Sequence, residues 1–362
     1  MLVHICCSVD SFYFLAKLKE EFPDEPLIGF FDNPNIHPYS EYYLRKIDAQ
    51  RSCDHFGIPM IEGDYDVQGW LEMVKGFEDE PEKGSRCILC FDDRLEATCL
   101  KAIELGEERY TTTLLMSPQK DHAQLRTVGK FLYQRHGKDF IAPDYRKGGG
   151  TQAQQVMSKE RRAYHQDYCG CLFALEDQRQ MQGRMMLEMI SPLSQQIQPN
   201  SIEERLALYE RRWELEKQGL SYTIKRERFL NWRLLRSRTM VNGVVVASHV
   251  LPYSTVRRST LKGVVTARDE NLYLLNREEV TLVTLDTYNA LMQTTYSTLD
   301  ALVANPPSFE AECWVRGALG KGVWDVSALL VVQTLAVGDR CEILLESTLF
   351  EDTRERLVSH FS

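Results

Sequence analysis

No stretch of this sequence is apolar over the roughly 20 residues that a membrane-spanning helix needs. The apolar start, Leu2 to Cys7, is too short for a secretory h-region and runs straight into a cysteine pair. The expectation is therefore a soluble, cytoplasmic chain with no membrane partner. There is no internal repeat and no low-complexity tract. A basic surplus is also lacking: the net charge is −9, which argues against a nucleic-acid binder that works through its overall charge. The distribution of charge qualifies that exclusion. From Lys225 to Arg268 ten Lys and Arg face only Glu227, a strip of +9 able to hold a phosphate backbone.

Cysteine is what the sequence has in surplus. Of ten cysteines, eight lie in the first 171 residues: Cys6, Cys7, Cys53, Cys87, Cys90, Cys99, Cys169 and Cys171. Six of them form three close pairs, and in a cytosolic chain such pairs point to metal or redox chemistry rather than to disulfides. Cys53 and Cys99 fall within helical patterns and read as small buried apolar residues, and the isolated Cys313 and Cys341 read as structural.

At 362 residues the chain is long enough for two domains with separate cores. The first 145 residues alternate short apolar runs with helical patterns. Strands are expected at Leu2–Ile5, Leu27–Phe31, Ile58–Ile61, Tyr110–Met116 and Phe140–Ala142. Helices are expected at Ser11–Glu21, Ser40–His55, Cys87–Leu105 and Asp121–His136. This order implies βαβ units, hence an α/β domain with a mostly parallel sheet and helices on both faces. After Gly148-Gly149-Gly150 come a polar helix, the Cys169-Gly170-Cys171 segment and a Met-rich helix running to about Ile190. Residues 191–200, with Pro192 and Pro199, read as a linker. Ser201 and Glu204 form a capping box for a helix ending at Gly219. Beyond about Met240 the pattern becomes β-rich. The expected division is a catalytic domain over 1–190, a linker over 191–200 and a C-terminal α+β domain over 201–362.

Cys6 and Cys7 end the first strand, with Asp10 three residues on, at the carboxyl edge of the sheet where ligands of open α/β folds gather. Adjacent strand residues face opposite ways, so the chain must turn for both sulfurs to serve one site. Cys87 and Cys90 share one helix face, and the helix N-terminus favours thiolate. Cys169 and Cys171 share one side of an extended segment, and Gly170 lets the backbone approach closely. Six thiols exceed the ligand set of one tetrahedral zinc and the four that hold one [4Fe–4S] cluster. With Asp10, the surplus is enough for a second metal ion beside a cluster. A thioredoxin-like dithiol and a zinc site are the rivals. His37, in the loop after the second strand, could donate a proton or bind phosphate, or serve only as a turn histidine. Thr111 to Thr113 offer hydroxyls that β-propensity also explains. Arg146 and Lys147, with Arg233, Arg236 and Arg238, are candidate phosphate contacts.

Taken together, these residues resemble the QueH family of epoxyqueuosine reductases over about Leu2 to Ala174. The matching motifs are His4-Ile5-Cys6-Cys7 with Asp10, Asn33-Pro34-Asn35-Ile36-His37-Pro38, Arg86-Cys87-Ile88-Leu89-Cys90, Thr111-Thr112-Thr113-Leu114-Leu115 with Ser117-Pro118, and Asp167-Tyr168-Cys169-Gly170-Cys171. The resemblance implies an oxidoreductase that reduces the epoxide of epoxyqueuosine at the tRNA wobble position to the alkene of queuosine, the last step of queuosine biosynthesis. It also implies a [4Fe–4S] cluster with a separate iron beside it, held by cysteines and an aspartate, Asp10 here. Which four of the six cysteines hold the cluster stays open. The implied partners are tRNA carrying epoxyqueuosine, with Asn35 and His37 among its contacts, and an unidentified electron donor. Cys6-Cys7-Ser8-Val9-Asp10-Ser11 also resembles the phosphate loop of ATP pyrophosphatases, which share this type of α/β fold. Cysteines stand there where close phosphate approach needs glycine, against ATP binding. A tRNA sulfur-transfer enzyme on that scaffold, an iron–sulfur sensor without a substrate and a zinc-stabilised binding module are the alternatives.

Overall fold

The computed structural model describes residues 1–117, 121–190, 194, 196–269, 272–275, 280–319, 321–322 and 325–359. They divide into two compact units, Met1–Met189 with Leu206–Leu220, and Ile190–Arg205 with Ser221–Ser362. Among the described residues no helix is long and apolar enough to cross a membrane.

The first unit carries β1 (Leu2–His4), α1 (Ser8–Glu21), β2 (Ile28–Phe31), α2 (Tyr39–His55), β3 (Met60–Glu62), α3 (Val67–Met73), α4 (Ser85–Leu105), β4 (Arg109–Thr112), α5 (His122–His136), β5 (Asp139–Phe140), α6 (Gly150–Glu160) and α7 (Leu172–Met181). The five strands are all parallel, in the order β3-β2-β1-β4-β5. Leu2, Val3 and His4 of β1 are completely buried, as expected of a central parallel strand covered on both faces. The sheet is wound outward from β1, so the strand order reverses between β1 and β4. A crevice opens beyond the carboxyl ends of strands at such a switch point.

Three local readings differ from the sequence expectation. The Thr-rich strand stops at Thr112, whose hydroxyl accepts from Leu114 N–H at 3.1 Å and turns Thr113–Met116 into a 3-10 segment. The Met-rich helix ends at Met181 rather than near Ile190. Helix α3, capped by the Asp66 carboxylate on Gly69 N–H, buries only Trp70 and left no readable period. Residues 191–193 and 195 of the expected linker, and Pro118, lie outside the described residues.

Helix α8 (Ile202–Lys217) starts with Ser201 Oγ accepting from Glu204 N–H at 3.1 Å. The reciprocal bond runs from Asn200 N–H to Glu204, one residue earlier than a standard capping box places it. Residues 206–220 belong to the first unit rather than to the C-terminal domain expected over 201–362. The reason is a buried ion pair: the Arg212 guanidinium meets Asp48, which also accepts from Tyr164 N–H at 2.7 Å and from the Ser8 hydroxyl. Removing one partner of a buried pair leaves the other charge uncompensated. Arg212→Ala is therefore expected to destabilise the first unit by about 3–5 kcal/mol, read as an earlier transition in urea.

The second unit holds an eight-stranded sheet in the order β7-β6-β13-β9-β10-β11-β12-β8 among the described residues. Its strands are β6 (Tyr222–Val241), β7 (Val244–Val246), β8 (Ser248–Val250), β9 (Thr260–Asp269), β10 (Leu272–Leu275), β11 (Val280–Thr284), β12 (Ala328–Val332) and β13 (Arg340–Ser359). Helices α9 (Leu285–Met292), α10 (Leu299–Ala304) and α11 (Phe309–Ala318) complete it. Strand β12 alternates Ala328, Leu330 and Val332 into one core with Leu329 and Val331 into another, so it is covered on both faces. Strands β6 and β13 pair along nearly their whole 20-residue lengths.

Candidate functional site

The chain leaves β1 at His4, and helix α1 begins at Ser8, so the intervening turn brings Cys6 Sγ and Cys7 Sγ to 3.7 Å. Cys6 Sγ lies 3.5 Å from Asp10 Oδ2. The ligand atoms of Cys6, Cys7 and Asp10 all fall within 4.8 Å of one another. That is within reach of one first-row ion, whose bonds to thiolate run about 2.3 Å. Neighbours fix each ligand. The Thr113 hydroxyl, at the carboxyl end of β4, accepts from Cys6 N–H at 3.0 Å and donates to Cys6 Sγ at 3.2 Å. Gln154 of α6 donates to Asp10 Oδ1 at 2.5 Å, leaving Oδ2 toward the sulfurs. The Cys7 thiol is pushed well above its ordinary range by the Cys6 sulfur, burial and the Asp10 carboxyl. Such a group gives up its proton to a metal rather than to water.

The other two pairs are linked by Cys169, which packs with Cys90 and Cys171 and lines the same cavity as Cys87. Cys90 and Cys171 are buried together with Trp70, Val74 and Ala174, and Cys169 packs against them. Cys87 lies one turn before Cys90 on α4 and, with Cys169, Cys6, Cys7 and Asp10, lines a cavity of about 1020 Å³. All ten cysteines are free thiols. Three helix N-termini carry cysteine: Cys7 is the N-cap of α1, Cys87 sits in the first turn of α4, and Cys171 is the N-cap of α7, its sulfur accepting from Ala174 N–H at 3.3 Å. Each lies at the positive end of a helix dipole, which favours thiolate. Burial still pushes the Cys171 thiol up to about 12.

The donor set fits a sulfur-held cluster next to a single ion. Polar atoms without a partner gather around these thiols: Trp70 Nε1, Arg86 Nε and Nη2, Asn35 Oδ1 and His37 Nε2 are all buried and unmatched. Buried polar groups are ordinarily satisfied, so their concentration around one centre points to a group that completes them. Cys53, Cys99 and Cys341 are buried within the apolar cores and Cys313 packs against one; none of the four lines the cavity.

The Asn33–Pro38 loop forms the opposite rim. Asn33 Nδ2 donates to Ile5 O at 2.9 Å, and Asn35 lines the cavity. His37 holds Asn35 O through Nδ1 at 2.8 Å and packs its ring on Trp70. Burial lowers its pKa, so it is a neutral imidazole. The cysteine segment docks onto this loop: Gly170 O accepts from His37 N–H at 2.8 Å, and Arg45 donates to Cys169 O at 2.9 Å. Gly170 has φ +126°, and a Cβ there would lie 2.9 Å from Ile36 Cγ1 and 3.1 Å from Arg45 Nη1. The close approach expected of Gly170 is thus to the rim loop. Gly170→Ala is expected to cost about 1–3 kcal/mol in strain and to lower metal content, checked by thermal unfolding and iron assay.

The candidate phosphate contacts come out differently. Lys147 and Arg146 both lie against Asp144, and Arg146 also donates to Ser117 O. In the second unit half of the basic strip pairs with β13: Arg226 with Glu355, Arg228 with Glu351, Arg236 with Glu346, and Arg238 and Lys262 with Glu342. Arg233 is buried on Pro199 O and Asn231 Oδ1. The double change Arg236→Gln with Arg238→Gln is expected to leave tRNA affinity and its salt slope within about twofold, because paired cations release few counterions.

Sequence reasoning missed the residues that brace the thiols. Thr113 offered a hydroxyl that β-propensity also explained, with no partner named, and Gln154 read as part of a polar helix. Buried Arg94 donates to Cys90 O at 3.2 Å and Asn33 Oδ1 at 3.1 Å. Its spacing from Cys87 and Cys90, seven and four residues, was the available signal, since it puts all three on one helix face. His4, buried between Thr112 Oγ1 and Asp32 O, has its pKa lowered to about 3 by burial and by Arg94, and so is a neutral brace between strands.

Fold and site together define an α/β protein with a cysteine-rich centre, able to hold metal, at the switch point of a parallel sheet. Residues 1–177 match the family of epoxyqueuosine reductase QueH. The chain is 40% identical over 351 residues to epoxyqueuosine reductase QueH of Helicobacter pylori, covering 92% of this chain and 94% of that protein. It is 39% identical over 193 residues to the protein of the same name from Histophilus somni, covering 52% of this chain and 78% of that one. The chain belongs to the QueH family. The Helicobacter pylori relative extends the likeness across the second unit, beyond the residues that carry the motifs. Among solved structures, the U34-tRNA thiolase NcsA from Methanococcus maripaludis with its [4Fe-4S] cluster matches at 18% identity and a TM-score of 0.34, over 59% of this chain and 73% of that one. At that score nothing about this chain follows from the likeness.

Proposed function

We propose that this chain reduces epoxyqueuosine in tRNA to queuosine at the wobble position, as a cytoplasmic iron–sulfur oxidoreductase fed by an electron donor yet to be identified. The observation that carries the reading is that Cys6, Cys7, Asp10, Cys87 and Cys169 line one cavity, with Cys90 and Cys171 buried in the cluster against which Cys169 packs. It occurs in a chain that resembles a named epoxyqueuosine reductase along nearly its whole length.

Converting an epoxide to an alkene removes the oxygen as water and takes up two electrons and two protons. Cys87, Cys90, Cys169 and Cys171 would hold a [4Fe–4S] cluster, and Cys6, Cys7 and Asp10 a separate iron; the packing of Cys169 with Cys90 and Cys171, and the grouping of Cys6, Cys7 and Asp10, support this split. When bound, the cluster supplies electrons one at a time and the ion supplies a Lewis acid for the epoxide oxygen. The chain's own residues hold and orient. Thr113 fixes Cys6, Gln154 turns Asp10, and Asn35 offers an unmatched buried carbonyl oxygen to the substrate's polar edge. Arg146 and Lys147 remain proposed phosphate contacts, with Asp144 as their resting partner. A cavity of about 1020 Å³ accommodates a nucleoside lifted from a single-stranded loop, where unstacking costs little. The likeness of Cys6–Ser11 to an ATP-pyrophosphatase loop is read as shared scaffold, with Cys6 and Cys7 occupying the phosphate position.

The test is anaerobic incubation with epoxyqueuosine-containing tRNA and a strong reductant, followed by nucleoside analysis. Queuosine is expected without added ATP. Absence of queuosine with a fully loaded enzyme, or strict ATP dependence, would contradict the proposal.

A further inference from the structure

Five arginines of the first unit are buried: Arg45, Arg86, Arg94, Arg179 and Arg212. Three have carboxylates, Arg45 on Glu41 at 2.7 Å, Arg179 on Glu188 at 2.5 Å and Arg212 on Asp48. Arg86 and Arg94 have none within ion-pair distance among the described residues. Arg86 is 1% exposed, donates only to the carbonyls of Phe77 and Glu78, and leaves Nε and Nη2 unmatched. Its guanidinium lies 5.2 Å from the ring centre of Phe173, which packs with Cys90 and Cys171. Arg94 is 3% exposed, lines the cavity and bonds the backbone of Cys90. A buried cation without an anion is strongly disfavoured, so two at one place require negative charge nearby. The anions at hand are, near Arg94, the sulfurs of Cys90, Cys169 and Cys6 and the Asp32 carboxyl, and near Arg86 the sulfur of Cys171.

We propose that Arg86 and Arg94 are the fixed counter-charges of the sulfur-held cluster, positioning residues that favour its one-electron reduction. The inference rests on the cluster assignment above. Four thiolates give such a cluster a net negative charge that grows when an electron enters. Two guanidinium groups in a dry, low-dielectric setting stabilise the more negative state further, which raises the potential. Neither arginine needs to touch substrate.

The experiment is a redox titration of anaerobically purified full-length protein, followed by electron paramagnetic resonance, for wild type, Arg86→Gln, Arg94→Gln and the two Lys variants. Iron and acid-labile sulfide are measured on each. The Gln variants are expected to lower the reduced-to-oxidised ratio at a fixed poise at least tenfold, about 59 mV for a one-electron couple, with most of that restored by Lys. Gln variants that take up no cluster while the Lys variants do would support the same charge requirement at assembly. A loaded Gln variant with the wild-type potential overturns the proposal, and so does failure of both Gln and Lys variants to load, which would make the role one of shape. Wild-type protein without iron and sulfide would instead overturn the cluster assignment itself.

Discussion

Asp10→Ala is expected to lower turnover about 10³-fold while leaving acid-labile sulfide unchanged and removing about one iron per chain. Asp10 is the only carboxylate that groups with Cys6 and Cys7 among the described residues, and Gln154 holds Oδ1 while Oδ2 faces the Cys6 sulfur. Replacing it leaves two thiols, too few to keep an ion that must also leave room for a substrate oxygen. The rate factor corresponds to about 4 kcal/mol, the scale on which a Lewis acid stabilises a developing oxyanion. The protein should stay folded, since Asp10, though buried, bonds Gln154 and Cys6 beside the cavity and is not part of the apolar core. Sulfide and iron assays with single-turnover kinetics check it. A variant with full activity would show that no ion at this place takes part.

Cys90→Ala and Cys171→Ala are expected to abolish both the sulfide content and the turnover, whereas Cys6→Ala should keep the sulfide and lose iron and activity. The contrast follows from packing. Cys90 and Cys171 are buried side by side with Cys169, and Cys171 is in addition the N-cap of α7. Losing either would remove one corner of the proposed four-thiolate cage. Cys6 belongs instead with Cys7 and Asp10. Loss of sulfide from the Cys6 variant together with retention in the Cys90 variant would reverse the division.

The parallel sheet of the first unit was legible because its strands are short apolar runs at the spacing of βαβ units, and the thiol pairs because cysteine is rare and these came in threes. What linked them was not. Which sulfurs share a neighbour depends on the loop 166–171 folding back onto Asn35 and Ile36, a contact that no local pattern encodes. Arg94 has the look of any helical arginine until α4 is packed on the sheet and buries it. The basic strip misled for a related reason: its counter-charges, Glu342, Glu346, Glu351 and Glu355, lie about a hundred residues later and arrive only when β13 pairs with β6. Those long strands also hid themselves, because both faces of the β6–β13 ribbon carry charged residues over much of its length and so lack the apolar alternation that marks a half-buried strand. Residues 206–220 followed a clear helical period, but only the burial of Arg212 against Asp48 tells which unit owns the helix.

Iron and acid-labile sulfide, counted per chain in protein purified without oxygen, bear most directly on whether the three thiol pairs meet around iron. The expected result is about five irons and about four sulfides, with the sulfide lost when Cys90 or Cys171 is replaced. Zinc in place of iron, with no sulfide in fully folded protein, would contradict it.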